Sequence, residues 1–254
     1  MPAVTVPAAT FSETTSAPRL DAYLAVPPTG EGPWPAVVVL HEAFGLNDDI
    51  RQQADRLAAA GYLAVAPDLF TAGGVRRCIR ATFAALRSGK GAAFEDISAV
   101  RRWVAGRKDC TGRVGVIGFC MGGGFALLTA SQGFDAAAPN YGILPDDLDE
   151  ALRGACPVVA SYGGRDLLLK GATRRLEGAL RRTGVEHDAR EYDRAGHSFL
   201  NRLNAGPFGQ LLRVVGIGYH HPSAEDAWRR ILRFFETHLR ETPPETPETS
   251  PAPD

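Results

Sequence analysis

No segment of the 254 residues comes near the run of about 20 apolar residues that a membrane helix requires. The N-terminus also lacks a charged start followed by an apolar stretch. The expectation is a soluble, cytoplasmic protein with no membrane partner. A surplus of one charge is missing too: 28 basic and 29 acidic side chains nearly cancel. Four of the acids fall in the last fourteen residues, where no base stands, and the small positive remainder on the body is too little for a nucleic-acid surface. Cysteine is sparse. Cys78, Cys110, Cys120 and Cys156 lie far apart, with no C-x-x-C pair and no histidine at ligand spacing, so neither a zinc site nor a disulfide framework is expected. A reducing compartment fits this usage, and no internal repeat is visible.

What is present describes one domain. A hydrophobic content of 44% over this length suffices for a single sizeable core. Residues 1–18 are rich in Thr, Ser, Ala and Pro, and residues 241–254 hold five prolines among Thr and Glu; both are expected to be mobile ends flanking a domain at 19–240. Within it, short apolar runs at 36–40, 63–66, 114–117, 157–161 and 189–192 alternate with helical patterns at 48–60, from 121, at 170–182 and at 224–240. Phe94, Ile97, Val100 and Val104 mark a further helix by their spacing, and 23–26 reads as an early antiparallel strand. Doubly apolar, β-branched strands alternating with helices predict a doubly wound, mostly parallel α/β sheet with helices on both faces.

The chemistry concentrates at residues 116–124. There a buried strand runs through Gly118-Phe119-Cys120-Met121-Gly122, a G-x-C-x-G turn, into a helix. The two glycines leave room for a sharp turn that lifts the Cys120 sulfur above the sheet, and the helix start favours negative charge there. The other three cysteines lack this setting and are expected in the core. A thiol is mostly protonated near neutral pH, so a nucleophilic cysteine requires an oriented base. In an α/β-hydrolase the order along the chain is nucleophile, acid, histidine, each after its own strand. Asp166, after Gly163-Gly164, and His197, after the strand near Tyr192, match that order; Asp193 is the competing acid but shares the histidine's loop. The oxyanion hole is expected from the backbone N–H groups of Met121 and Ala43.

Four segments together resemble the dienelactone hydrolase family: His41-Glu42-Ala43-Phe44-Gly45-Leu46, Ala66-Pro67-Asp68-Leu69-Phe70, Gly118-Phe119-Cys120-Met121-Gly122-Gly123 and Gly196-His197-Ser198-Phe199. The likeness spans about residues 20 to 240. It implies an α/β-hydrolase fold and a Cys120, His197, Asp166 triad with no metal or organic cofactor. It also implies cleavage of a small-molecule lactone or ester through a thioester acyl-enzyme, by a monomer or small homo-oligomer. Glu42 would lie against the nucleophile and take part in forming the thiolate. The chain departs from the family where substrate is held. An arginine expected soon after the His-Ser-Phe segment is replaced by Asn201, with Arg202 one residue later, and Arg76 and Arg77 are the other candidate cations. Two alternatives stay open: a broad carboxylesterase or thioesterase of the same fold, and a catalytically silent binding module.

Overall fold

The structure, a computed structural model, describes residues 3–6, 16–17, 19–202 and 217–240. The expected tail at 241–254, and most of the segment 203–222 that could cap the site, lie outside the described residues. Eight strands form one sheet in the order β1-β2-β4-β3-β5-β6-β7-β8. They are β1 (Ala3–Val6), β2 (Leu20–Ala25), β3 (Trp34–Leu40), β4 (Leu63–Pro67), β5 (Cys110–Phe119), β6 (Ala136–Asn140), β7 (Val158–Gly163) and β8 (His187–Tyr192). The strands from β4 to β8 in this order run parallel, whereas β1 and β2 are antiparallel additions at one edge. Residues 1–18 were expected to stay outside the domain; four of them instead extend the sheet as β1.

Among the described residues, seven α-helices cover the two faces: α1 (Asp48–Ala59), α2 (Gly74–Ser88), α3 (Ala92–Ala105), α4 (Met121–Leu128), α5 (Leu148–Ala151), α6 (Ala172–Thr183) and α7 (His221–Leu239). The central strands are buried along almost their whole length, as strands covered on both sides must be. On one face α1 and α7 are tied by Arg56, whose guanidinium donates to both oxygens of Glu225 at 3.2 and 2.8 Å. Helix α1 starts cleanly because Asn47 caps it, its side chain accepting from the Ile50 N–H at 3.0 Å, with Asp48 and Asp49 in the first turn.

Beside β1 and α5, two longer elements are absent from the sequence reading. The Gly/Arg-rich stretch after Asp68 is a fifteen-residue helix, α2, and Ala136-Ala137-Ala138-Pro139-Asn140 is a central strand, β6. Alanine and proline carry little strand preference of their own, so burial between β5 and β7 decides the conformation of β6. Chain connection places the functional region. After β4 the strand order reverses direction, leaving β3 beside β5, with Leu40 paired to Gly118. The crevice at such a switch point, outside the carboxyl ends of the strands, is where open α/β sheets bind ligands.

Candidate active site

The loop after β3 and the turn after β5 meet at this crevice and carry Glu42 and Cys120. Cys120 holds φ 52 and ψ −114 between β5 and α4. Only a crowded setting keeps a residue with a Cβ in that region, at a cost of about 1–3 kcal/mol. The Cys120 N–H donates to the Asn140 carbonyl at 3.1 Å, and its own carbonyl accepts from Gly124 N–H at 3.1 Å. A Cβ on Gly118 would run into the Gly122 carbonyl, and one on Gly122 into the carbonyls of Leu40 and His41. The two glycines therefore allow the turn to close against β3. Among the described residues, three non-glycine positions have positive φ: Cys120, Tyr141 and Ser198. All three lie in this region, so backbone strain is concentrated where the chemistry is expected.

His197 follows β8 and Asp166 follows β7. Asp166 is almost fully buried, and its Oδ2 lies 2.6 Å from His197 Nδ1. Its other oxygen accepts from Leu168 N–H at 3.0 Å, which fixes the carboxylate. With Nδ1 engaged, Nε2 is the nitrogen left for Cys120, whose sulfur lies close enough to act on the imidazole charge. Burial opposes a charge on the imidazole, but Asp166 and Cys120 outweigh it and push His197 up to about 10. The ring also packs edge-on against Tyr141, with centroids 5.3 Å apart. Asp193 is exposed and takes no part in this contact.

Glu42 is 1% exposed, and burial is the main cause that raises it to about 7; a hydrogen bond from Ser198 works against that rise. Ser198 Oγ donates to Glu42 Oε1 at 2.6 Å, while Oε2 has no hydrogen-bond partner among the described residues. His41, fully buried, braces the loop from behind: its Nδ1 lies 2.6 Å from the Glu42 carbonyl and its Nε2 accepts from Leu69 N–H at 3.1 Å. Met121 opens α4, so its N–H is among the first donors of the helix, which have no carbonyl one turn earlier to bond. Ala43 is half-buried on the loop after β3.

The arginines expected to hold substrate are not gathered here. Arg76 and Arg77 stand exposed on α2. Arg202 is exposed, with its guanidinium 4.5 Å from the centre of the Tyr219 ring. The site also contains groups the sequence reading passed over. Tyr141, fully buried, donates to Asn201 Oδ1, and Asn201 Nδ2 donates to Asp49 Oδ2 at 2.5 Å. These residues carry no motif spacing; only the fold unites positions 49, 141 and 201. The other cysteines are half-buried and free, with Cys156 pushed up to about 12 by burial. Among the described residues no group of three His, Cys, Asp or Glu is arranged to hold a metal, and no helix is long and apolar enough to cross a membrane.

A mostly parallel sheet with a strained turn at its switch point, and an acid and a histidine on successive later loops, defines an α/β-hydrolase. The sequence pattern of the dienelactone hydrolase family matches residues 20–239, and the chain belongs to that family. It is 32% identical over 230 residues to the carboxymethylenebutenolidase of Rhodococcus opacus, covering 83% of each chain. The fold is shared with a dienelactone hydrolase from Anabaena variabilis (TM-score 0.64, 21% identity, 94% of this chain and 98% of that one). It is shared as well with a dienelactone hydrolase-like promiscuous phosphotriesterase from metagenomic libraries (TM-score 0.75, 22% identity, 94% and 98%). The class so defined is a hydrolase of ester or lactone bonds.

Proposed function

We propose that the protein hydrolyses a small-molecule lactone or ester through a thioester on Cys120. One observation carries this: a cysteine in a strained strand-to-helix turn, beside a histidine whose Nδ1 lies 2.6 Å from a buried carboxylate. His197, kept charged by Asp166 and Cys120, holds the thiol's proton, and the sulfur adds to the acyl carbon. The N–H groups of Met121 and Ala43 steady the oxyanion. Collapse of the adduct breaks the acyl C–O bond, and the leaving oxygen receives the proton from His197. Water, deprotonated by the same histidine, then cleaves the thioester and restores the thiol. Asp166 keeps the imidazole in the tautomer with Nε2 free and steadies its charged form.

Glu42 takes part in forming the thiolate. As a neutral acid it places no like charge beside the sulfur; as a carboxylate it opposes a standing thiolate, so its proton couples to that of Cys120. Four free cysteines fit a reducing, cytoplasmic setting. The dienelactone-like reading and the broad-esterase reading separate on a panel of a dienelactone, a nitrophenyl ester and an acyl thioester.

The decisive experiment is mass spectrometry of the enzyme quenched with a slow ester. An acyl adduct on the peptide holding Cys120, absent in Cys120→Ala, is expected. Asp166→Asn should lower turnover by roughly 10²–10⁴-fold, the usual worth of an oriented acid–base group, while Asp193→Asn leaves it within about twofold. Wild-type turnover in Cys120→Ala would overturn the mechanism.

A further inference from the structure

His197 apart, the groups around Cys120 carry negative charge or none. Burial first, and then the charges of Glu42, Asp49 and Cys120, hold the Tyr141 hydroxyl well above its ordinary value, so these groups share one neighbourhood. Among the charges acting on Glu42 and Tyr141, only His197 is a base. Residue 201 is fully buried at the inner end of this cluster and is a neutral amide. Both ends of the Asn201 amide are engaged, the oxygen by Tyr141 and the nitrogen by Asp49.

The next cation along the chain is turned away. The Arg202 backbone N–H donates to the other Asp49 oxygen at 2.8 Å, which points the side chain outward. Its guanidinium lies over Tyr219 and donates to that hydroxyl at 3.3 Å. Asp49 therefore acts twice: it neutralises the amide of Asn201 as a possible donor to substrate, and it holds Arg202 outside.

The loops at this end of the sheet expose large apolar side chains beside charged ones such as Arg165 and Lys170. Phe44 is 62% exposed on the loop after β3, Ile143 45% on the loop after β6, and Leu167 and Leu168 are 85% and 77% exposed beside Asp166 on the loop after β7. Three separate loops at the same end of the sheet thus present large apolar side chains to solvent, which marks a binding surface rather than scattered exposure.

We propose that this site selects an uncharged ester or lactone with an apolar acyl or alcohol part and discriminates against a substrate carboxylate, with Asp49 and Asn201 as the determining residues. The inference deepens the Cys120 reading and rests on it. A carboxylate brought beside Cys120 meets the acids Glu42 and Asp49, and neither Arg202, turned over Tyr219, nor Arg76 and Arg77 on α2 stands ready to pair with it. A bare anion in a partly closed site is expelled unless a cation compensates it. An apolar chain, by contrast, covers the exposed leucines and phenylalanine and gains their burial.

The test compares nitrophenyl butanoate with the nitrophenyl monoester of succinate, which differ by a methyl for a carboxylate. The neutral ester should have a kcat/KM at least about tenfold higher at low ionic strength, with the gap narrowing in about 0.5 M salt. Asp49→Asn should shrink that ratio at least about threefold; an unchanged ratio there removes Asp49 as its source. Equal or faster hydrolysis of the succinate ester overturns the inference. The rates at which iodoacetamide and iodoacetate alkylate Cys120 are read alongside, because they need no turnover. A strong preference for the neutral reagent without cleavage of either ester sinks the hydrolase reading and keeps the charge selection. Cys120-dependent cleavage of both esters at equal rates does the reverse.

Discussion

Glu42 keeps one oxygen on Ser198 and the other bare inside the protein, an arrangement that works against its ionised form. A carboxyl that holds its proton more tightly in the folded chain than in the unfolded one favours folding most below its ordinary value of 4.5. That contribution disappears as pH rises through about 7. Glu42→Gln keeps the hydrogen bond from Ser198 and removes the titration. The variant should gain stability over the wild type as pH rises from 4.5 to 8, by up to about 3 kcal/mol. Urea melts at a series of pH values check this, and parallel curves for the two proteins would show that Glu42 ionises freely. His197 is raised too, from 6.5 to about 10, so both proteins share a further loss of stability across that higher window. Cys120, Asp166 and His197 could be singled out as candidates from sequence because each stands in a short signature after a strand, and the structure brings Asp166 and His197 into contact. The Ser198 contact with Glu42 could not, since 156 residues separate the two and neither carries a mark of the other.

At the level of single elements, the turn into α4 is built from missing side chains. Gly122→Ala would drive a methyl into backbone carbonyls of β3's end, which cannot move without opening the sheet. A loss of more than about 4 kcal/mol, or failure to fold, is expected. Gly178 is the contrast. It sits inside α6, where a Cβ would meet only the flexible end of Arg182 at 3.4 Å. Gly178→Ala should stabilise the protein by about 0.5–1 kcal/mol, because alanine costs less chain entropy in a helix. Thermal unfolding of the two variants side by side measures both signs, and a destabilised Gly178→Ala would refute the assignment of that position. The helices with strong caps or an apolar stripe, such as α1 and α3, were legible in the sequence. Helix α2 was not: its start has a glycine and no side-chain cap, and six of its fifteen residues are exposed before its first buried one. Strand β6 was hidden for the opposite reason, its three alanines and a proline being shaped by neighbours on either side.

Across the whole molecule, the alternation of strands and helices was enough to fix the layered architecture, whereas the order of strands and the path of residues 3–6 follow from pairing that no local pattern records. Arg230 illustrates how the outer layer is secured to the sheet. From α7 it donates to the Asp188 side chain at 2.9 Å, to the Asp188 carbonyl at 2.8 Å and to the Tyr192 hydroxyl at 3.1 Å. Tyr192 in turn packs on Phe199, two residues past His197, with ring centroids 5.1 Å apart. The site is thus held by strands at the centre and by the last helix from outside. Its parts come from residue 42 near one end of the domain to residue 198 near the other, across parallel strands that cannot pair until the chain between them has crossed over. Such distant closures are slow compared with helix formation. In refolding from urea, recovery of ester hydrolysis should therefore trail the recovery of helical circular dichroism as a distinct later phase; coincident recovery would mean that the helices themselves wait for the sheet. The turn at Cys120 acts in this sense as a clock, starting only when the last crossover has been made.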